Sequence, residues 1–336
     1  MRQVADRAGV AMSSVSRVLN NHPDVSESMR ARVMTAVEEF GYEPNAVGQM
    51  LRQGATKTVG FVVGDISNHL QAEIALGAEL ALEAQGYTML LMNSVNNPQL
   101  DAEHIRLLIR RQVDGLLLSV ADETHRPTIE ALEAGNTPYV LIDRELDAQS
   151  PPWAVTSDHR GGITSAVEEL VGLGHRRIAL VGGSPHVRPT RERVAAIEEA
   201  VARYPDVSCQ VRSGAFTEGH GAAATRELLE GKLPPTAIIA GGNQILIGVL
   251  REIRGRALAI PRDLSLVTCD RIPLAEFLSP SLSTIYRDPV AMGRAAAELL
   301  LAQLAGQPAQ VITLPATYER AGSCSPSPDA VAPTHQ

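Results

Sequence analysis

The segment 10-VAMSSVSRVLNN-21 sets three serines and Arg17 among valines and a leucine. At helical spacing Val15, Val18 and Leu19 share one side, and Met12, Ser13, Ser16 and Arg17 lie opposite. That second face could read nucleic acid: short hydroxyls let a helix approach a phosphate backbone, and a guanidinium can grip a guanine edge with two bonds. The spacing alone fits an ordinary solvated helix face equally well. Catalytic chemistry has little support. No G-x-G-x-x-G follows a strand pattern, and no G-x-x-x-x-G-K-[ST] occurs. The nine histidines form no H-E-x-x-H and the three cysteines no C-x-x-C. His175, in a G-H-R-R run before a strand, reads as structural.

The elements that would position that face are three short helices within residues 1–42. Val4, Ala5 and Ala8 make the apolar side of the first, which Gly9 ends. A three-residue turn leads to the helix of Arg17, so 2–19 has helix-turn-helix proportions. Asn20 to Pro23 form a loop. Ser26 caps a third helix with Met29, Val33, Ala36, Val37 and Phe40 on one side, ending at Gly41. Pro44 then stops the chain, and Asn45 can cap a two-turn helix up to Gly54. Such a helix is marginal alone in water, and Gly48 weakens it further. It reads as a linker that orders only in a complex.

From residue 58 the pattern changes to alternating apolar runs and helical stretches. Strands are predicted at 58–64, 87–93, 115–120, 138–143, 177–183, 237–242 and 264–269, with helices such as 71–86 and 163–174 between them. This alternation implies an α/β core of parallel sheets with helices on both faces. The length of 336 residues suits two such sheets. The tail from Ser323 is rich in Pro and Ser and reads as disordered over 323–336.

Composition bounds the partners. The net charge is −8, yet residues 1–57 carry seven Lys/Arg against six Asp/Glu. DNA contact there must rely on placement more than on bulk charge. Three widely spaced cysteines argue against a disulfide framework and suggest a reducing compartment. No secretory signal and no membrane-spanning run is found. The default reading is a soluble cytoplasmic protein.

The runs 4-VADRAGVAMSSVSRVLNN-21, 25-VS-26, 41-GYEPNAVGQML-51 and 59-VGFVVGDISN-68 resemble the lac repressor (LacI/GalR) family. So do 143-DR-144, 157-SDHRGG-162, 173-LGHRRIALVGG-183, Arg193, 261-PRDLSLVTCD-270 and 280-PSLSTI-285. The likeness spans residues 1 to about 322. It implies a helix-turn-helix headpiece at 1–44, a hinge at 45–57 and a two-lobed periplasmic-binding-protein-like core. The implied lobes are 58–154 with 286–313, and 155–285 with 314–322.

Residue by residue, the resemblance places Met12, Ser13 and Arg17 at base-contacting positions. It places Ser14, Ser16, Asn20, Ser26 and Asn45 at phosphates, and counts Val47 among the DNA-contacting positions. Leu51 matches a leucine that wedges into the minor groove at the operator centre; its other reading is linker packing. A wedge from each of two subunits implies a homodimer on a pseudo-palindromic double-stranded operator. A leucine heptad for tetramers is absent from the tail. Ala11 stands where a capping serine is usual, and Gly48 where alanine is. The chain opens inside the first helix, without the usual capping threonine.

In the core the resemblance implies an effector cleft touched by Asp65, His69, Leu70, Gln71, Asp143, Arg193, Phe216, Asn243 and Asp270. Asn68 and Arg144 flank these positions. Gln244 departs from the usual Asp after Asn243, and His159 from the usual Asn after Asp158. The implied function is a transcriptional regulator, a repressor, whose operator affinity is set by a sugar or sugar derivative. No enzymatic activity, cofactor, metal or membrane partner is expected. Three alternatives stay open: a sugar-binding protein with a vestigial head, a purine- or nucleoside-responsive regulator, and a nucleotide-dependent enzyme.

Overall fold

The computed structural model describes residues 1–19, 22–42, 55–146, 153–273 and 277–331. The chain divides into two compact units, Met1–Thr56 and Lys57–Gln336. The hinge residues Asn45, Val47, Gly48 and Leu51, and Asn20 in the head, lie outside the described residues.

The first unit holds α1 (Arg2–Ala8), α2 (Met12–Leu19) and α3 (Glu27–Phe40). Val4, Ala5, Ala8, Val15, Val18, Val33 and Ala36 are buried together and form its small core. Gly9 (φ 64°) and Gly41 (φ 51°) end α1 and α3 in the left-handed region, where glycine lacks the Cβ penalty. The Ser26 hydroxyl accepts the Met29 amide at 3.4 Å and caps α3. The carbonyl of Ala11 opens α2 by accepting from Ser14 (2.9 Å) and Val15 (3.2 Å), with no side-chain oxygen to cap it.

The second unit contains two six-stranded sheets. The first comprises β1 (Thr58–Val63), β2 (Thr88–Asn93), β3 (Gly115–Ser119), β4 (Tyr139–Ile142), β5 (Ala154–Ser157) and β11 (Val311–Leu314). Its order is β11-β5-β4-β3-β1-β2, with every pair parallel. The second comprises β6 (Arg177–Gly182), β7 (Ser208–Ser213), β8 (Ala237–Ala240), β9 (Ser265–Cys269), β10 (Ser283–Tyr286) and β12 (Thr317–Glu319). Its order is β12-β10-β9-β8-β6-β7, parallel except for β10 with β12. The two lobes therefore repeat one doubly wound plan. In each, the order reverses between the first and third strands, β1/β3 and β6/β8, where such sheets open a crevice at the strand ends.

Helices cover both faces. The first lobe carries α4 (His69–Glu83), α5 (Pro98–Arg110), α6 (Arg126–Glu133) and α11 (Pro289–Leu304). The second carries α7 (His159–Gly172), α8 (Arg188–Val201), α9 (Glu218–Glu230) and α10 (Asn243–Gly255). Val59, Phe61 and Val63 face one core of the first sheet and Val62, Leu116 and Leu118 the other. This two-sided burial explains why these strands read as continuous apolar runs.

Three crossovers join the lobes, and they correct the expected boundaries. β5 runs to Ser157 in the first sheet, whereas the family likeness implies the second lobe for 155–157. Tyr286 pairs with Thr317 in the second sheet, and Leu314 with Ser157 in the first. Strand pairing across the lobe boundary moves each limit by one to three residues. The tail is also corrected: Ser323 and Ser327 are buried and α12 spans Pro328–Val331. The Ser323 hydroxyl donates to the Leu266 carbonyl at 2.6 Å, and the Ser325 amide donates to Ser265 Oγ at 3.2 Å. Hydrogen bonds to β9 order a segment whose composition argues for disorder.

Candidate functional site

On α2, Val15 and Val18 are buried while Met12, Ser13 and Arg17 are exposed; Ser14 and Ser16 are half-buried. Met12 is 53% exposed, unusual for so apolar a side chain. The face inferred from spacing is thus presented as one surface. Ser26 is exposed at the start of α3, where its hydroxyl also lies 3.3 Å from Ser28 Oγ.

In the second unit a cavity opens where the strand ends of the two lobes meet. Asp65 and Asn68 follow β1, and Ser119 ends β3. From the second lobe Gly241 and Gly242 follow β8, and Arg193 enters from α8. Leu70, Gln71, Asp143, Phe216 and Asp270 also line it, as inferred from the sequence.

Two expected residues fall elsewhere. His69 is exposed and lies 3.3 Å from Glu73, one turn along α4, outside the cavity wall. Asn68 caps that helix by accepting the Leu70 amide at 3.1 Å, so the next side chain turns along the helix surface. Asn243 lies beside the cavity and not in its wall. It reaches across the lobes, Nδ2 donating to Asn68 Oδ1 at 3.3 Å. Gln244 makes a similar bridge to Asp65 Oδ2 (3.4 Å) and Ser67 Oγ (3.2 Å).

The floor of the cavity is ionic. Asp143 and Asp270 follow β4 and β9, matching positions in the two sheets, and both have positive φ (53° and 71°). Such backbone is uncommon outside glycine and is tolerated best by Asn and Asp. Between them sits Arg287, carried in by the crossover after β10. Its Nε donates to Asp270 Oδ1 at 2.6 Å and its Nη1 to Asp143 Oδ2. Asp143 also accepts from the Ser157 amide (3.2 Å) and Arg188 Nη1 (3.2 Å), and faces His159 Nε2 at 2.9 Å. Arg193 donates to the Gly241 carbonyl at 2.8 Å, with Nη2 3.9 Å from Asp270.

Burial sets the charge states. It pushes His159 down to about 4 against the pull of Asp143, so the ring is neutral at neutral pH. Burial alone would raise Asp143, but His159 and the Arg287 guanidinium outweigh it and hold the carboxyl well below the usual range. Arg287 and Arg193 do the same for Asp270. Asp143 and Asp270 raise Arg287 against the opposing effect of burial.

Arg287, Arg188 and Ser157 are absent from the set inferred by sequence. The available signal was a lone arginine between Tyr286 and the Asp288-Pro289 helix opening. Its opposite member, His159, follows β5 in the same way. His175, by contrast, is fully buried in the second lobe between Thr236 Oγ1 (2.9 Å) and Ser265 Oγ (3.0 Å), a structural role. Cys209, Cys269 and Cys324 are free thiols. No helix among the described residues is long and apolar enough to cross a membrane.

Residues 1–45 match the model of the bacterial regulatory proteins, lacI family, and residues 167–324 that of the periplasmic binding protein-like domain. Catabolite control protein A of Priestia megaterium is 31% identical over 302 residues, covering 88% of this chain and 90% of that one. The ribose operon repressor of Escherichia coli (strain K12) is 32% identical over 307 residues, covering 90% and 92%. The crystal structure of the lac repressor dimer bound to operator and the anti-inducer ONPF matches with a TM-score of 0.85 at 26% identity, covering 96% of this chain and 98% of that one. The head, the repeated doubly wound lobes and these likenesses along the chain agree: it belongs to the lacI family of bacterial regulatory proteins, DNA-binding transcriptional regulators.

Proposed function

We propose that the chain is a repressor whose operator affinity is set by a small polar effector, a sugar or sugar derivative, held between the core lobes. One observation carries this reading: the cavity floor is assembled from both lobes, with Asp143 on one, Asp270 and Arg193 on the other, and Arg287 between. An effector held there touches groups of both lobes at once. Binding is thereby coupled to lobe position, and an effect of about 1–3 kcal/mol on operator affinity is typical of such coupling.

In this reading Met12, Ser13 and Arg17 meet base edges. Ser14, Ser16, Asn20, Ser26 and Asn45 meet phosphates, and Val47 and Leu51 act in the hinge, with Leu51 at the operator centre. The protein works as a homodimer on a pseudo-palindrome. A second reading, a purine or nucleoside effector, is favoured by Phe216, whose ring lies against Gly183 and Gly242 at the cavity wall.

The test joins two measurements on the full-length protein. Selection from a random DNA pool is expected to enrich a pseudo-palindrome. A thermal-shift screen of sugars, sugar acids and nucleosides is expected to find a stabilising compound. That compound must change affinity for the selected DNA. Ligand binding with no sequence preference in DNA would instead support the vestigial-head alternative.

A further inference from the structure

Helix α8 begins without a cap of its own. Its N-cap residue is Val187, whose side chain has no oxygen to offer. Pro189 carries no amide hydrogen. The Thr190 and Arg191 amides donate to the Val187 carbonyl at 3.2 and 3.3 Å. That leaves the Arg188 amide, which donates to Glu123 Oε1 at 2.7 Å. Glu123 belongs to the other lobe, in the loop after β3. A carboxyl of the first lobe therefore closes a helix of the second, at the end where the helix dipole favours negative charge.

Further contacts cross at the same place. Arg191 Nη1 lies 2.6 Å from Glu123 Oε2, and its Nη2 lies 3.3 Å from Oε2 of Glu145, also in the first lobe. The Glu123 backbone amide donates to the His186 carbonyl of the second lobe at 3.0 Å. Arg144 of its own lobe also feels the Glu123 charge. The Glu123 side chain is 3% exposed, so salt and water screen these contacts little. At the opposite rim of the cavity the lobes meet through the uncharged amides of Asn243 and Gln244, at 3.2–3.4 Å. Charge-assisted bonds are the stronger kind, so the rim at Glu123 is the firmer of the two.

Helix α8 also carries two arginines into the site. Arg188 Nη1 donates to Asp143 and to the Ser157 carbonyl, both at 3.2 Å, and Arg193 donates to the Gly241 carbonyl. Glu123 itself does not line the cavity. We propose that Glu123 is a latch between the lobes: by capping α8 and pairing with Arg191 it holds the cleft together and sets Arg188 and Arg193 in place. Glu123 is thus a positioning residue. Parting the lobes strips the Arg188 amide of its acceptor and Arg191 of Glu123 and Glu145. An effector or operator that prefers one lobe separation works with or against this latch. That consequence rests on the cleft being the effector site; the latch does not.

The experiment is backbone hydrogen exchange on the full-length protein, read by mass spectrometry. Peptides over 186–193 report the latch, those over 65–71 and 241–245 the opposite rim, and those over β6 the core of the second lobe. Glu123→Ala is expected to speed exchange in 186–193 by about two- to thirtyfold, the range for a lost helix cap. A similar rise is expected at 65–71 and 241–245, with β6 unchanged. Glu123→Gln keeps an acceptor for the Arg188 amide and is expected to give a smaller rise at both rims. Arg191→Gln, at a side chain 41% exposed, is expected to do the same and serves if Glu123→Ala fails to fold.

A rise confined to 186–193 makes Glu123 a helix cap alone and overturns the proposal. So does exchange that all three variants leave unchanged, and in either case the effector reading stands. A second arm titrates the duplex selected from the random pool, whose affinity Glu123→Ala is expected to shift by at least about fivefold. Faster exchange at both rims with unchanged DNA affinity keeps the latch and overturns its tie to operator control.

Discussion

Arg287 grips Asp270 with Nε 2.6 Å from Oδ1 and Nη2 3.3 Å from Oδ2, while its Nη1 reaches Asp143 of the other lobe. The three side chains are almost wholly buried. Two carboxylates and one guanidinium therefore hold each other charged where none could stay charged alone. Because the partners belong to different sheets, the same bonds join the lobes.

Removing that guanidinium should be costly. Arg287→Gln leaves Asp143 and Asp270 short of their shared counter-charge and is expected to lower unfolding free energy by about 3–5 kcal/mol. Urea denaturation checks this, and adding Asp270→Asn should recover part of the loss. A cost under about 1 kcal/mol, the scale of a surface pair, would mean that the carboxylates find other partners.

Acid should weaken the core in two stages. His159 is held at about 4 in the fold, below its ordinary 6.5, so on acidification the unfolded chain takes this proton first. Its contribution is whole above pH 6.5 and is lost as pH falls to about 4. Asp143 and Asp270 are held below 3.8, so their stabilisation is present above 3.8 and is lost below it. Denaturation curves across this range should show stability falling from pH 6.5 downward, with a smaller slope in His159→Asn. Buried His175, also lowered, supplies the residual slope.

Packing of α4 on α11 depends on absent methyl groups. A Cβ on Gly293 would overlap the Ile74 carbonyl, and one on Gly77 the carbonyl of Val290. Gly293→Ala is expected to cost about 1–3 kcal/mol or more, because the obstacle is backbone and not a flexible side chain. Gly255→Ala, with nothing within 4 Å, is the control and should match or exceed the parent in stability.

For DNA, the expected effect of Arg17→Ala is selective. Affinity for selected DNA should fall by about 1–3 kcal/mol while non-specific binding changes much less. Competition titrations with selected and scrambled duplexes measure both. Equal loss on both duplexes would place Arg17 at a phosphate instead.

Ser26 allows capping to be separated from phosphate contact. Ser26→Ala removes the oxygen that accepts the Met29 amide and should cost the head about 1 kcal/mol. Ser26→Asp keeps a good cap, so stability should hold, while its charge repels DNA and lowers affinity. Thermal melting and DNA titration of both variants check this. Unchanged DNA affinity in Ser26→Asp would remove Ser26 from the interface.

Much of this was legible in the chain. The apolar runs of β1, β3, β4, β6, β8 and β9 stand out because both faces of a parallel sheet are buried. The caps Ser26 and Gly41 are equally local. β5, β7, β10, β11 and β12 escaped because they are short or half-polar, like 208-SCQVRS-213, and acquire strand geometry only from a neighbour. Periodicity and capping act over a few residues, so the sequence alone determined the head, the alternation of strands and helices, and the exposed face of α2. The ionic floor joins Asp143 to Arg287, 144 positions apart. That pairing, the outward turn of His69 and the ordering of Ser323 and Ser327 were decided by tertiary structure. Whether a buried charge or hydroxyl is tolerated depends on which partner the fold brings to it, and no local pattern encodes that partner.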